Sequence, residues 1–292
     1  MPIVPSPVDA VPIAYDVTGP ADAAAAPRTL VLLHGSVLSR AIWRGLGYLE
    51  PLAAGHRVVR LDLRGHGRSG KPHDPRAYTQ QVLAADVLAV LDRLGAQEPV
   101  GVIGYSLGAR LALTLALEHP GRVARLVCLG GSAADQRGAV DSLFFPGTVD
   151  TLREEGMDAF CTRQGLGADA PGRTAQSTRT AFLRADPQAM AALFTATDAT
   201  PGVAEERLSA CEVPALWMTG ERDVPRLAQS RHAAGLMPRG RFVPLPGRTH
   251  ASTLSPARDV LDEVLPFLDG PWPGAPGAAQ TSEISRPSSA ER

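Results

Sequence analysis

The sequence predicts an α/β protein: a mostly parallel sheet covered by helices on both faces, with a helical cap inserted late in the chain. Three observations carry this. Short apolar runs of β-forming residues alternate with segments of helical apolar spacing. The runs are spaced as in β-α-β units rather than hairpins. One long segment, from Ser132 to about Glu212, keeps helical patches but has no clear strand.

In chain order, "VPIAYDV" reads as an added antiparallel edge strand, and "TLVLLHG" as a buried strand ending on a turn. "RVVRLDL" is the next strand. "TQQVLAADVLAVLDRLG" has helical spacing, with Thr79 placed to cap its start and Gly95 to close it. "PVGVIG" is a strand, and "LGARLALTLALEHPGR" a helix stopped before Pro120. "VARLVCLGG", "PALWMTG" and "RFVPLPG" are strands; "RLAQSRHAAGLM" is a helix between the last two, and "LSPARDVLDEVLPFLDG" is a final amphipathic helix. The expected organisation is a core at 1–131 and 213–269, a cap at 132–212, and a disordered tail at 270–292 rich in Pro, Gly, Ala and Ser.

The 292 residues are 44% hydrophobic, enough for one large domain with an insert. A formal net charge of −1 gives no electrostatic case for nucleic acid or an anionic membrane. The N-terminus lacks a basic, then apolar, leader pattern, and no apolar stretch of spanning length exists, so a cytoplasmic protein acting on a small molecule is expected. Cys128, Cys161 and Cys211 are scattered without ligand spacing, which argues against a disulfide framework or a metal site. Lys71 is the only lysine, so Ser-Lys and Schiff-base chemistry rest on it or are excluded.

"RGHGRSGKP" spells a dinucleotide-binding pattern through Gly65, Gly67 and Gly70, and most of a P-loop up to Lys71. Both need a helix to start here, because helix N-terminal amides hold the phosphate. Pro72 and Pro75 argue against that helix, so a rigid loop at the edge of an active site is expected.

"GYSLG" at 104–108 is the strongest chemical signal. The pentapeptide alone proves little; its place at a strand-to-helix junction suits a nucleophile elbow, with Ser106 as nucleophile. Side chains at 104 and 108 would collide with adjoining backbone, which glycine avoids. Of seven histidines, His250 follows the last strand at the C-terminal sheet edge where catalytic groups collect, and is the expected base. Asp223, after the preceding strand, is the expected acid; Glu221 and Asp135 are rivals. The backbone N–H groups of Leu107 and Ser36 are the expected oxyanion donors.

In "LVLLHG", "LDLRGHGRSGKP", "GYSLG", "TGERD" and "GRTH", in that order, the chain resembles the α/β-hydrolase superfamily over roughly residues 11–269. The resemblance implies an eight-stranded sheet with strand 2 antiparallel, a variable cap after strand 6, an acid after strand 7, and no cofactor. A serine at position 106 leaves esterases, lactonases, thioesterases, carbon–carbon bond hydrolases and perhydrolases. "GYSLGARLAL" also resembles the menaquinone-pathway succinyl-hydroxycyclohexadiene carboxylate synthase, in which such a triad serves elimination. The leading expectation is a serine hydrolase acting on a small-to-medium carboxylic ester or lactone. Five of the seven phenylalanines (Phe144, Phe145, Phe160, Phe182 and Phe194) fall in the cap, and an insert this small has little core of its own. Phe144 and Phe145 are therefore expected to bind substrate, or else Arg163, Arg173, Arg179 and Arg184 form a carboxylate clamp.

Overall fold

The computed structural model describes residues 2–19, 28–270 and 272. Eight strands form one sheet: β1 (Ile3–Pro5), β2 (Pro12–Thr18), β3 (Thr29–Leu33), β4 (Arg57–Leu61), β5 (Val100–Tyr105), β6 (Val123–Leu129), β7 (Ala215–Gly220) and β8 (Gly240–Leu245). Their spatial order is β1-β2-β4-β3-β5-β6-β7-β8. β2 runs antiparallel to both β1 and β4; all other neighbours are parallel. β5, β6 and β7 are buried along their whole length, as central parallel strands covered on both faces must be.

The helices divide between the faces. α1 (Ala41–Gly45) and α2 (Leu49–Ala53) follow β3, and α3 (Gln80–Arg93) and α4 (Leu107–Glu118) flank β5. Between β6 and β7 lie α5 (Val140–Leu143), α6 (Thr148–Glu154), α7 (Gly156–Arg163), α8 (Arg173–Phe182), α9 (Pro187–Thr197) and α10 (Glu205–Ser209); α11 (Arg226–Leu236) and α12 (Ala257–Asp269) follow. Leu83 and Val87 of α3, Leu111 and Leu115 of α4 and Ala233 of α11 pack on one face of the sheet. Trp43 of α1, Leu52 of α2 and Val260 and Val264 of α12 pack on the other. A third apolar cluster, around Phe160, Met190 and Phe194, belongs to the segment between β6 and β7 and rests on Val37 and Tyr78 of the core.

Three features depart from the expectations. β1 lies outside β2, so β2 is not the edge; three residues beside prolines carry no readable period. α1 and α2 are too short to show helical spacing, but Trp43 and Leu52 anchor both. The disordered tail was expected from residue 270, yet Trp272 is buried on the α12 face, its indole N–H donating to the Leu268 carbonyl at 2.8 Å. The remainder of that tail lies outside the described residues.

Thr79 caps α3 by accepting the Val82 N–H. The glycine-rich loop after β4 leads into no α-helix; a single 3-10 turn at Pro75–Tyr78 follows. Instead of phosphate contacts, Arg64 is wholly buried and donates two bonds to Asp86 of α3, at 2.7 and 2.8 Å, and others to Asp9 and Ser6. The loop is thereby tied to α3 and to the segment after β1. Among the described residues, no helix is long and apolar enough to cross a membrane.

Removing one partner of a buried ion pair leaves an uncompensated charge and costs about 3–5 kcal/mol. Arg64 keeps Asp9 as a partner in Asp86→Ala, so the variant is expected to lose less than that, about 1.5–3 kcal/mol for its charged hydrogen bonds, read as a lowered urea midpoint with an unchanged slope.

Candidate active site

The register of the parallel strands brings their C-terminal ends to one edge: Leu33 beside Gly104, Tyr105 beside Leu129, Leu129 beside Met218, and Gly220 beside Leu245. The loops leaving this edge carry His34–Ser36, Ser106, Gly130, Asp223 and His250. The topology, not sequence proximity, therefore assembles the site.

Ser106 occupies the turn from β5 into α4 at φ 54° and ψ −113°, backbone angles unusual for a residue with a side chain. A Cβ on Gly104 would stand 2.1 Å from the Gly108 carbonyl oxygen, and one on Gly108 2.1 Å from that of Leu33. Both glycines are thus dictated by backbone approach. The Ser106 N–H is fixed by the Leu129 carbonyl at 3.0 Å. The turn leaves Oγ free of any helix-capping bond and aims it at His250.

His250 Nε2 lies 3.0 Å from Ser106 Oγ, and Nδ1 lies 2.7 Å from Asp223 Oδ2. An ionised carboxylate only accepts, so Nδ1 carries the proton and Nε2 is left to accept from the serine. Burial pulls the His250 pKa below 6.5, while the hydrogen bond that His250 donates to Asp223 works against that pull. Asp223 is buried, and its Oδ1 faces Arg226 at 3.4 Å. The rivals lie elsewhere. Asp135 is paired with Arg137 at the surface, which holds its carboxyl down at about 2, and Glu221 accepts the Gly247 N–H in an exposed turn.

Ser36 and Leu107 line the same small cavity as Ser106. Leu107 is the first residue of α4, so its N–H has no partner inside the helix, and the positive end of the helix dipole lies there. Ser36 sits in a turn closed by the Leu38 N–H on the Gly35 carbonyl at 3.3 Å. The next residue, Val37, has φ 64°, a costly conformation for a β-branched side chain. Its N–H is held at 3.1 Å by His66 Nε2, while the Leu63 N–H is held at 3.1 Å by His34 Nε2. The opposite nitrogens donate to the carbonyls of Arg64 and Gly35. Each ring must stay neutral to accept an N–H, and burial drives His34 down to about 4 and His66 to about 3. The two histidines brace the loop.

The cavity at Ser106 measures about 40 Å³, and Phe144 and Phe194 are among its walls. Phe145 is not. Its ring lies 5.7 Å from that of Phe160 and under the Arg163 guanidinium, because consecutive side chains point in different directions. Phe160 is fully buried amid Phe144, Phe145, Phe182 and Phe194, so the cap packs most of its aromatic surface into a core of its own. The expected arginine clamp is also displaced. Arg163 binds Thr151 and Glu155, Arg179 binds Asp158 and the Leu166 carbonyl, and neither Arg173 nor Arg184 lines this cavity.

Three neighbours of the site were not foreseen. The Tyr105 ring stacks on His250, with centroids 5.3 Å apart, and its hydroxyl donates to the His250 carbonyl at 2.9 Å. Arg110 and Arg226 both line the cavity. Arg110 is buried and donates to the carbonyls of Ser132, Ala134 and Pro201; burial lowers its pKa to about 10. For Tyr105 and Arg110 the available signal was position, one residue before and four after the serine.

A family model of the alpha/beta hydrolase fold matches residues 28–156. A pimeloyl-[acyl-carrier protein] methyl ester esterase from Edwardsiella ictaluri is 31% identical over 268 residues, spanning 84% of this chain and 95% of that protein. An epoxide hydrolase B from Mycobacterium tuberculosis is 44% identical, but over 99 residues, 34% of this chain and 27% of that protein. The crystal structure of an enol-lactonase from Burkholderia xenovorans superposes with a TM-score of 0.78 at 26% identity, covering 92% of this chain and all of that one. Near-full-length similarity of sequence, together with the strand order and the elbow, leads to one conclusion: the chain belongs to the α/β-hydrolase family and is an enzyme of that fold.

Proposed function

We propose that the protein is a serine hydrolase that cleaves a small carboxylic ester or lactone through an acyl-enzyme on Ser106. The observation that carries this reading is the continuous relay from Ser106 Oγ through His250 to Asp223, at 3.0 and 2.7 Å. His250 Nε2 takes the hydroxyl proton as Oγ attacks the carbonyl carbon. Asp223 fixes the imidazole tautomer and stabilises the imidazolium that forms. The negative charge on the carbonyl oxygen is received by the N–H groups of Leu107 and Ser36. The imidazolium protonates the leaving alkoxide, and water, deprotonated by His250, releases the acid. The esterase and enol-lactonase among the relatives support this class of substrate.

The cavity supports a small substrate. About 40 Å³ is far below the roughly 300–1,000 Å³ of pockets that enclose drug-sized ligands. A short acyl group is therefore favoured while the cap sits as it does. A second reading has one observation in its favour: Arg110, a buried cation with carbonyl partners, lines the cavity. It suits a carboxylate-bearing substrate on which the same triad performs carbon–carbon cleavage or proton abstraction and elimination. Mass spectrometry of the quenched enzyme separates the readings, since only the acyl-enzyme routes leave an adduct on Ser106.

Ser106→Ala is expected to lower p-nitrophenyl acetate turnover by a factor on the order of 10⁶ with an unchanged far-UV spectrum. Wild-type activity in the purified variant, or phosphonate labelling at another residue, would defeat the proposal.

Asp223→Asn is expected to cut turnover about 10⁴-fold, because the amide favours the wrong tautomer, whereas Asp135→Asn leaves it near wild type. The folded-state pKa of His250 lies below 6.5, so the active neutral form persists into acid and the lower limb of kcat/KM against pH falls below 6.5. A limb above that value contradicts the assignment.

Along p-nitrophenyl esters from acetate to octanoate, kcat/KM is expected to decline as the chain lengthens. In Phe194→Ala the optimum moves to longer chains, gaining up to about fourfold per methylene accommodated, as 0.8 kcal/mol per buried CH₂ implies. An unchanged chain-length profile would remove Phe194 from the acyl pocket.

A further inference from the structure

The oxyanion loop has a second side. Ser36 faces the cavity of Ser106, whereas Val37, Leu38 and Ser39 line a separate cavity of about 710 Å³, well within the range of small-molecule sites. It lies between the core and the connection from α8 to α9, which contributes Arg184 and Ala185.

Five arginines line it against two aspartates, and the aspartates are already engaged. Asp16 accepts from Arg40 Nε at 2.9 Å and from Arg60 Nε at 2.8 Å. Asp62, nearly inaccessible, accepts from the Arg40 guanidinium and from the backbone N–H groups of Arg40 and Arg68, both at 2.9 Å. The guanidinium groups of Arg44, Arg68 and Arg184 have no hydrogen-bond or ion-pair partner among the described residues. His66 adds no charge, since its Nε2 accepts an N–H. A surplus of three positive charges is thus gathered in one concavity of a chain whose formal net charge is −1. Like charges crowd there: Arg44 and Arg40 add to the effect of burial in lowering the pKa of Arg60. One wall is apolar, formed by Val37, Leu38, Ile42 and Ala181.

Guanidinium groups present flat, paired donors that match phosphate oxygens, and keep their charge in partly desolvated sites. Three unpartnered guanidiniums suit a dianion better than a monoanion. The apolar wall requires that the anion carry a hydrophobic body. We propose that this cavity binds a small organic phosphate monoester, its phosphate held by Arg44, Arg68 and Arg184 and its apolar part laid against Val37 and Ile42. The site uses no member of the triad. Its occupant bridges core and cap, and rests on the residue next to the oxyanion donor Ser36.

The test is calorimetric titration of the full chain with phenyl phosphate, phenylacetate and benzyl alcohol. Phenyl phosphate is expected to bind at least tenfold more tightly than phenylacetate, and benzyl alcohol not measurably. The Arg44→Ala/Arg68→Ala/Arg184→Ala variant, checked for an unchanged melting temperature, should lose at least tenfold in phenyl phosphate affinity. Arg184→Ala alone reports the cap's share should the triple variant melt early. Ser106→Ala should bind as wild type does, so failure of the serine mechanism and failure of this site are separable. Equal binding to wild type and both arginine variants, phenylacetate binding as tight as phenyl phosphate, or no binding to wild type at millimolar concentration would each overturn the proposal.

Discussion

Backbone meets backbone at the turn after β5, and the rest of the site depends on that contact. Gly104 lies against the Gly108 carbonyl, and Gly108 against that of Leu33, closer than any side chain permits. α4 can therefore start directly behind β5 and alongside the end of β3. This approach forces Ser106 to φ 54°, a conformation that costs about 1–3 kcal/mol. The cost is offset by the burial of α4, whose residues from Gly108 to Ala116 are all buried. A strained serine, a free helix-terminal N–H and the neighbouring β3 loop thus follow from one packing constraint.

Three imidazoles near the site, two of them buried, show how partners divide one chemistry into different roles. His34 and His66 each accept a backbone N–H at Nε2 and donate from the other nitrogen. Protonation would set N–H against N–H, so both are held neutral as struts. His250 accepts from a hydroxyl instead, and its donor nitrogen faces a carboxylate that stabilises the charged ring. That difference leaves His250 able to take a proton and return it. Tyr105 keeps the ring in place from one face and through the backbone, without touching either nitrogen.

Long apolar strands and helices were legible because burial on both faces writes continuous runs and regular spacing into the sequence. Ser106, Asp223 and His250 were legible because each stands just past a readable strand. What escaped notice depends on contacts between distant residues. β1 exists through its pairing with β2, since Ile3–Pro5 has no period of its own. Trp272 looks like part of a low-complexity tail, yet its indole finds the α12 face. The choice between Phe144, Phe145 and Phe194 at the cavity turns on how α5 and α9 pack, which composition does not record. The brace between His66 and Val37 joins a loop read as glycine-rich to one read as a simple turn.

The helical segment between β6 and β7 and the loop after β3 meet in one residue. Val37 is 2% exposed and belongs to the apolar cluster of the cap, with Phe160, Met190 and Phe194. The same residue is held at positive φ and bonded through its N–H to His66. Its side chain thus answers to the cap and its backbone to the core. Ser36, one residue before, has no such anchor of its own among the described residues and sits in the turn closed by the Leu38 N–H. Val37 therefore joins the cluster between β6 and β7 to the loop that carries Ser36 through one side chain and one backbone N–H.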